Sequence, residues 1–255
     1  MAARRSDMTH MARNSRRHFL QSTTAISIAA LLGSLPLAAL AQTAAPAKMK
    51  IGIIGSGRAG SAIGGAWVRA GHEVMFSSLN LEADKKLAAS LGPNARAGTS
   101  REAVAFGSVV LVAVPYSAMP AVGKDIGDLV KGKVIIDASN PIVARDGDMA
   151  VAAREKGAGI TSAEYLPGAR IVRAFNAIGA ARMGEAATKS ERIGMPMAGD
   201  DANAISVASA LVRDVGYEPV LVGTLAAMSK YLVPGTALGG ERSPEEVRKV
   251  AATLK

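Results

Sequence analysis

The chain has 255 residues and contains no cysteine, which excludes disulfide bonds, thiolate metal sites and thiol catalysis. Its length is sufficient for one domain with a sizeable hydrophobic core. The formal net charge is +9, but beyond the first 41 residues the Lys and Arg are scattered, and the whole chain has only four Phe, so nucleic-acid binding has little support.

The first 41 residues have the features of an export signal. The stretch SRRHFLQ, from Ser15 to Gln21, is typical of a twin-arginine signal and follows a basic start. An uncharged segment runs from Phe19 to Ala47 and contains the small-x-small sequence ALA, which ends at Ala41. We therefore expect residues 1–41 to be a signal peptide that is cleaved after Ala41 and residues 42–48 to be a tether. An uncleaved membrane helix is the alternative, because the uncharged length approaches a bilayer span.

Beyond this signal, short apolar runs alternate with amphipathic segments, which is the pattern of a parallel α/β sheet. The predicted strands are Lys50–Ile54, Glu73–Phe76, Ser108–Val114, Lys133–Asp137, Arg170–Phe175, Gly194–Ala198 and Pro219–Val222. The predicted helices are Ala59–Ala70, Leu81–Leu91, Ser100–Phe106, Ser117–Ile126, Asp201–Val215 and Pro244–Leu254, the last with Ser243 as its N-cap.

The turn GSGRAG between the first strand and the first helix has the G-x-G-x-x-G spacing of a dinucleotide-binding turn. Gly55 permits the tight turn, Gly57 lets a pyrophosphate approach the backbone, and Gly60 lets the helix pack close to the strand. The N-terminus of the following helix offers unpaired N–H groups to the phosphates, and Ser56, Arg58 and Ala59 are further candidates to contact the dinucleotide.

This turn predicts a Rossmann-like, doubly wound and mostly parallel sheet with a small C-terminal α/β extension. We expect the dinucleotide-binding domain to span residues 49–235 and a C-terminal helical segment to span residues 236–255. A plain glycine-rich turn between a strand and a helix is the alternative.

The sequence FSSLN, which ends at Asn80, follows the second predicted strand and contains no acidic residue. An acid at this place favours NAD, because it accepts a hydrogen bond from the free 2′-hydroxyl of the ribose. Ser77, Ser78 and Asn80 are instead suited to a 2′-phosphate, which favours NADP. NAD stays open as the dinucleotide, and the serines have an alternative role as caps of the next helix.

Six motifs follow one another in a fixed order, and together they indicate a family more specifically than the glycine turn does by itself. The stretches are IGIIGSGRAGSAIGGAWVRAGHEV, VVLVAVPYSAM, VIIDASNP, RIVRAFNAIGA, MPMAGDDANA and VRDVGYEPVLVGTLAAMSKYLVPG, and they extend from Ile51 to about Gly235. In this order they resemble the NADPH-dependent coenzyme F420 reductase family, a group of deazaflavin:NADP oxidoreductases.

This resemblance implies that NADP binds with its nicotinamide at the carboxyl edge of the sheet. It implies that the turn after the fourth strand faces the nicotinamide and that the turns after the fifth and sixth strands contact the dinucleotide. The matching residues are Ala113, Val114 and Pro115 in the first turn, Ser139, Asn140 and Pro141 in the second, and Asn176 in the third. Asn140 and Asn176 are candidates to hold a carboxamide or a ribose, with backbone capping as the alternative.

One position departs from the family pattern. The family commonly has Ser-Arg-Asn after the second strand, where the arginine grips the 2′-phosphate, and this chain has Leu79 in place of that arginine. Arg58, inside the glycine turn, is the candidate to compensate by lying across the adenine or the phosphate.

The remaining residues limit the mechanism. His72 is the only histidine beyond the signal, and its AGHEV context predicts a surface turn. No tyrosine has a lysine four positions later, and Lys230 is interpreted as a structural or surface residue. Direct hydride transfer between two stacked rings needs no acid or base. We therefore predict no catalytic side chain and no metal, and a reductase that passes hydride between NADPH and a flavin-like or deazaflavin acceptor.

Two other functions stay open at this point. One is a non-catalytic NADP-binding or redox-sensing protein. The other is a reductase of a small carbonyl or imine, in which Tyr116, Tyr165 or Lys230 supplies the proton.

The export signal adds its own expectations. The protein is expected in the periplasm, with the twin-arginine translocase as its export partner. Because a free NADP pool is not expected there, we also expect export with the nucleotide bound. The C-terminal segment is too short to close a substrate cleft by itself, which is compatible with a homodimer.

Overall fold

The computed structural model of the protein describes residues 48–183 and 192–254. The predicted signal peptide lies outside these residues, as does nearly all of the predicted tether. Within the two ranges, no helix combines the length and the apolar character that crossing a lipid bilayer demands.

The described residues alternate between strands and helices along the chain. The strands are β1 (Lys50–Ile54), β2 (Glu73–Ser77), β3 (Ala95–Ala97), β4 (Val109–Val112), β5 (Val134–Asp137), β6 (Arg170–Arg173), β7 (Gly194–Gly199) and β8 (Glu218–Gly223). The helices are α1 (Arg58–Arg69), α2 (Leu81–Leu91), α3 (Ser100–Phe106), α4 (Met119–Ile126), α5 (Val143–Lys156), α6 (Ala158–Tyr165), α7 (Ala202–Val215), α8 (Leu225–Met228) and α9 (Pro244–Ala252).

The strands form one sheet in the order β3-β2-β1-β4-β5-β6-β7-β8. All neighbouring pairs are parallel except β6 and β7, which are antiparallel. The order reverses at β1, which lies between β2 and β4. This arrangement confirms the predicted Rossmann-like, mostly parallel α/β fold, and it puts the crevice in which such sheets bind ligands at the carboxyl ends of β1 and β4.

Helices cover both faces of the sheet, so the strands are buried on both sides. Ile51 and Ile53 of β1 join the hydrophobic layer under α1 and α7, whereas Ile54 joins the opposite layer with residues of α3 and α4. In the first layer Trp67 donates from Nε1 to the carbonyl oxygen of Leu211 at 2.8 Å.

Most of the predicted elements are confirmed, including the α9 capping box between Ser243 and Glu246. The predicted strand Arg170–Phe175 is too long, because β6 ends at Arg173 and Phe175 has a left-handed φ of 66°. The sequence prediction also omitted β3, α5, α6 and α8.

His72 contradicts its predicted surface position. It is fully buried, its Nδ1 accepts a hydrogen bond from the Met49 backbone N–H at 3.1 Å, and its Nε2 lies 2.9 Å from an Asp214 carboxylate oxygen. Because Nδ1 is the acceptor, Nε2 carries a proton and donates to Asp214. His72 therefore joins the start of β1 to α7, and its role is structural.

Candidate functional site

Four loops meet at the carboxyl edge of the sheet, after β1, β4, β5 and β6, and enclose a cavity of about 420 Å³. Of the predicted site residues, Gly57, Arg58, Ala59, Ala113, Val114, Pro115, Asn140 and Asn176 line this cavity. Gly55, Ser56, Gly60, Ser77, Ser78, Asn80, Ser139 and Pro141 do not line it. Sequence reasoning missed other lining residues, which include Ala138, Ile142, Arg145, Phe175, Ile178, Met183 and Pro234.

The glycine turn has the geometry that its spacing predicts. Gly55 has a φ of 97°, and a Cβ there would lie 2.5 Å from the Ala113 carbonyl oxygen. A Cβ on Gly60 would lie 2.0 Å from the carbonyl oxygen of Gly55, so only glycine lets α1 approach the turn this closely. A Cβ added to Gly57, in contrast, would meet no atom within 4 Å, which leaves open space beside the backbone.

Gly57 is also the N-cap of α1, and no side chain caps this helix. The N–H groups of its first turn therefore face the cleft without a side-chain acceptor, and the positive end of the helix dipole lies there. An anion is the ligand that such a helix start favours.

The end of β2 differs from its prediction. The Ser77 hydroxyl is buried and donates to the Ile53 carbonyl oxygen at 2.6 Å. Its side chain turns back onto β1, so the expectation that it donates to a 2′-phosphate is wrong. Asn80 is the N-cap of α2, because its side-chain oxygen accepts from the Ala83 N–H at 3.0 Å. The alternative role considered for Ser77 and Ser78 was to cap the next helix, but the N-cap of α2 is Asn80.

A buried acid lies beneath this segment. The Ser78 hydroxyl contacts both carboxylate oxygens of Asp84, at 3.0 and 2.9 Å, and the Ser56 hydroxyl donates to the same carboxylate. Asp84 is 1% exposed. This acid could not be recognised from the residues at the end of β2, because it comes from α2. Both hydroxyl protons are therefore directed at Asp84 and away from a ligand.

Leu79 lies next to these serines and is fully exposed. No packing within the described residues accounts for an apolar side chain here. In the family that the chain resembles, this position carries an arginine. In this protein it is exposed to solvent and has no charge.

The loops after β5 and β6 are held by a buried ion pair. Arg173, at the end of β6, donates to an Asp137 carboxylate oxygen at 2.6 Å, and both side chains are fully buried. Arg173 also donates to the carbonyl oxygens of Ser139 at 3.1 Å and Leu232 at 2.9 Å. The pair therefore joins the β5 loop to the segment after α8 that contains Leu232.

Asn176 completes this wall. Its Nδ2 donates to the Ser139 carbonyl oxygen at 3.2 Å and to the Asn140 side-chain oxygen at 3.3 Å. Its own side-chain oxygen is buried and has no partner among the described residues. A buried amide oxygen without a donor is costly, so this atom is suited to accept a hydrogen bond from a ligand in the cavity.

Arg145 and Asp146 lie in the first turn of α5, and Arg145 lines the cavity. Asp146 accepts from Arg145 Nε and Nη2 at 2.9 and 2.8 Å and from the backbone N–H groups of Ile142 and Ser117 at 2.9 and 3.2 Å. Burial acts to raise the pKa of Asp146, but these hydrogen bonds outweigh it and hold the pKa far below its usual value. Asp146 is therefore ionised at neutral pH, and its hydrogen bonds to Arg145 fix the orientation of that side chain.

The side chains considered as proton donors lie elsewhere. The Tyr116 hydroxyl is buried and donates to the Ala158 carbonyl oxygen at 2.7 Å, and burial raises its pKa to about 12. Lys230 is exposed and lies over the Tyr231 ring. Neither of these residues nor Tyr165 lines the cavity. Among the described residues, no group of three His, Asp or Glu is arranged to hold a metal ion.

Comparison with known proteins places these features in a family context. Residues 50–141 match the family model described as NADP oxidoreductase, coenzyme F420-dependent. The chain is 31% identical over 182 residues to an F420-dependent NADP reductase from Methanothermobacter thermautotrophicus, an alignment that covers 66% of this chain and 77% of that protein.

Two further proteins are similar over most of this chain. The rat metalloreductase STEAP3 is 30% identical over 186 residues, but the alignment spans 70% of this chain and only about a third (34%) of that protein. A solved structure of a hypothetical protein from Sinorhizobium meliloti is 24% identical and superimposes with a TM-score of 0.67, covering 77% of this chain and 96% of that one. This last likeness concerns the fold.

The buried ion pair provides a stability test. We expect Arg173→Met to lower the free energy of unfolding by about 3–5 kcal/mol, because Asp137 would remain as an uncompensated buried charge. The matched control is Arg96→Met, which breaks the exposed Arg96–Glu73 pair and should cost at most about 1 kcal/mol. Urea denaturation followed by circular dichroism measures both. Equal losses for the two variants would contradict this role of Arg173.

Proposed function

Because the chain belongs to the family of coenzyme F420-dependent NADP oxidoreductases, we propose that it transfers hydride between NADPH and a flavin-like or deazaflavin ring. The observation that carries this proposal is the composition of the cavity. Its described lining contains small and apolar residues, two asparagines and two arginines, and it contains no Asp, Glu, His, Lys or Tyr.

The absence of a proton donor from this described lining favours one reaction type. Reduction of a carbonyl or an imine requires a proton to be delivered, usually by a positioned acid. Transfer of hydride between two stacked rings requires proximity, orientation and the exclusion of water. Among the described residues, the cavity can position two rings for hydride transfer, but its lining contains no acid that could protonate a carbonyl or an imine.

The glycine turn fits the pyrophosphate of a dinucleotide. The open space beside Gly57 admits a phosphate to the backbone, and the uncapped start of α1 supplies N–H donors to it. Arg58 lines the same cavity and adds a positive charge. These residues would hold the phosphates, and Gly55 and Gly60 would keep the turn in the shape that does so.

The far loops fit the nicotinamide end. Ala113, Val114 and Pro115 would form an apolar floor for the ring, while the unpaired Asn176 side-chain oxygen would accept a hydrogen bond from a carboxamide or a ribose hydroxyl. Asn140 would assist, since its Nδ2 already holds the Asn176 carbonyl oxygen at 3.2 Å. When bound, the dinucleotide supplies the hydride, and the protein supplies its orientation.

NADP is the dinucleotide that the family membership favours. The adenosine end of the site nevertheless has weak means to recognise a 2′-phosphate, because Leu79 is uncharged and the Ser56 and Ser78 hydroxyls donate to Asp84. We therefore propose NADPH as the substrate with a small preference over NADH.

We also propose that the protein is exported by the twin-arginine route and acts in the periplasm. The support is the SRRHFLQ sequence at Ser15–Gln21, which lies outside the described residues. Because this route carries folded proteins, the dinucleotide would travel bound in the cleft.

The function is tested by anaerobic oxidation of NADPH with flavins, deazaflavins and quinones as acceptors. We expect turnover with a ring acceptor and a KM for NADPH at least about tenfold higher in Gly57→Ala, because the added methyl occupies the space beside the turn. Gly65→Ala in the same helix is the control, since its Cβ would meet neighbouring atoms only at ordinary distances of 3.4 and 3.5 Å. If no acceptor is reduced, the enzyme proposal fails and a binding role takes its place.

Selectivity between dinucleotides is tested at the second strand. We expect Leu79→Arg to raise kcat/KM for NADPH about tenfold while leaving that for NADH nearly unchanged, because a guanidinium pairs with a 2′-phosphate and not with a hydroxyl. Steady-state kinetics with both dinucleotides measure this change. Leu79→Gln is the uncharged control of similar length. An equal response of both dinucleotides to the arginine would place the 2′-phosphate elsewhere.

Export is tested by replacing the arginine pair. We expect Arg16→Lys combined with Arg17→Lys to retain the full-length precursor in the cytoplasm, because the translocase requires the two arginines. Fractionation and immunoblotting in the native host check this, with Arg4→Lys and Arg5→Lys as the charge-matched control. Equal amounts of the two variants in the periplasm would contradict the proposal. Nucleotide content of the periplasmic protein then tests whether the cofactor is carried along.

A further inference from the structure

Arg145 occupies a part of the cleft that the dinucleotide proposal does not use. It lies in the first turn of α5, directly after the β5 loop, and it lines the cavity. In the sheet, β5 is separated from β1 by β4 alone, so its loop is displaced from the glycine turn by roughly 10 Å. The displacement is away from β2, where the adenosine would lie. Arg145 is therefore on the side of the cleft that is left to the second reactant.

The ion pair that contains Arg145 is asymmetric. The side chain of Asp146 is fully buried, whereas the side chain of Arg145 is 42% exposed. Both carboxylate oxygens are engaged by Arg145 and by backbone N–H groups. The negative half of the pair is thus enclosed by the protein, and the positive half faces the cavity.

The guanidinium also has donors to spare. Of its five N–H groups, Nε donates to Asp146 and Nη2 donates to Asp146 and to the Asn140 carbonyl oxygen at 2.7 Å. Nη1 has no partner among the described residues. Because Asp146 and the Asn140 carbonyl already fix the plane of the group, a ligand that binds Nη1 loses little side-chain entropy.

The residues around Arg145 indicate the chemical character of such a ligand. Ile142, Met183 and Pro234 line the same cavity with apolar surface, and no described lining residue is a carboxylate. Ile142 is 39% exposed and offers a contact for a planar ring. An apolar ring that carries an oxyanion matches this combination.

We propose that Arg145 binds an oxyanion, a phosphate or a carboxylate, on the hydride acceptor and thereby selects acidic ring compounds over neutral ones. The inference rests on the proposed function, because it assigns the second reactant of that reaction. It goes beyond that function by naming the charge of the acceptor and the residue that recognises it.

The test compares two acceptors that share one ring system. Flavin mononucleotide and riboflavin have the same isoalloxazine ring and differ by one phosphate. With saturating NADPH, we expect kcat/KM for flavin mononucleotide to exceed that for riboflavin by at least about tenfold, through KM. The ratio should fall as the salt concentration rises, because the interaction is partly exposed.

Variants of Arg145 assign the effect to this side chain. Arg145→Gln should bring the ratio close to one, and Arg145→Lys should keep an intermediate ratio because the charge remains while the planar fork is lost. Arg213→Gln is the matched control, since Arg213 is similarly exposed and ion-paired to Glu218 but does not line the cavity. It should keep the wild-type ratio.

Each other outcome separates this inference from the proposed function. If wild-type protein reduces both flavins equally well, the inference is overturned and the reductase proposal stands. If Arg145→Gln raises KM for NADPH and leaves the flavin ratio intact, the oxyanion that Arg145 binds belongs to the dinucleotide, and the inference is again overturned. If no ring acceptor is reduced, the proposed function fails. Quenching of flavin fluorescence then decides the inference, because equal affinity for the two flavins, or no binding of either, overturns it.

Discussion

A buried ion pair between Arg173 and Asp137 determines the shape of the cleft wall. Two charges removed from water are costly unless they are paired and hydrogen-bonded. Arg173 donates from its two terminal nitrogens to Asp137, Ser139 and Leu232, while its Nε has no partner among the described residues. These hydrogen bonds fix the β5 loop against the segment after α8 that contains Leu232. Asn176 donates to the same Ser139 carbonyl oxygen and lines the cavity, and its own side-chain oxygen is buried without a partner among the described residues. The polar wall of the site thus depends on the hydrogen bonds that one buried arginine makes to the β5 loop and to Leu232.

The glycine turn could be predicted from the sequence because its constraints are local. Gly55, Gly57 and Gly60 act within six residues, between a strand and a helix that each show a clear period. The helices α5 and α6 could not be predicted, because Gly147 interrupts the first with a φ of 58° and Gly157 separates the two with a φ of 104°. Glycine in a helical pattern normally indicates a turn. Here both glycines do mark breaks, and the helical segments between them are too short to show a clear period.

Residues whose partners are remote in sequence were the hardest to interpret. His72 meets Asp214, which is 142 positions away, and nothing near His72 indicates that contact. The serines after β2 were predicted as donors to a ligand because Asp84 belongs to the next helix. The error in each case has the same physical origin, since a polar side chain is satisfied by whichever group the fold brings to it.

The two arginines of the cavity differ in a way that bears on what each can discriminate. Arg145 is held on one side by a carboxylate and on the other by a carbonyl oxygen, so its orientation is fixed before a ligand arrives. Arg58 makes no ion pair among the described residues, and it must lose rotamer freedom on binding. A fixed donor binds an oxyanion strongly at one position only, whereas a flexible donor can adjust to an oxyanion at several positions. On the proposed function, the α5 side of the cleft would therefore recognise the position of an oxyanion, and Arg58 in the glycine turn would attract phosphate with less regard to its position.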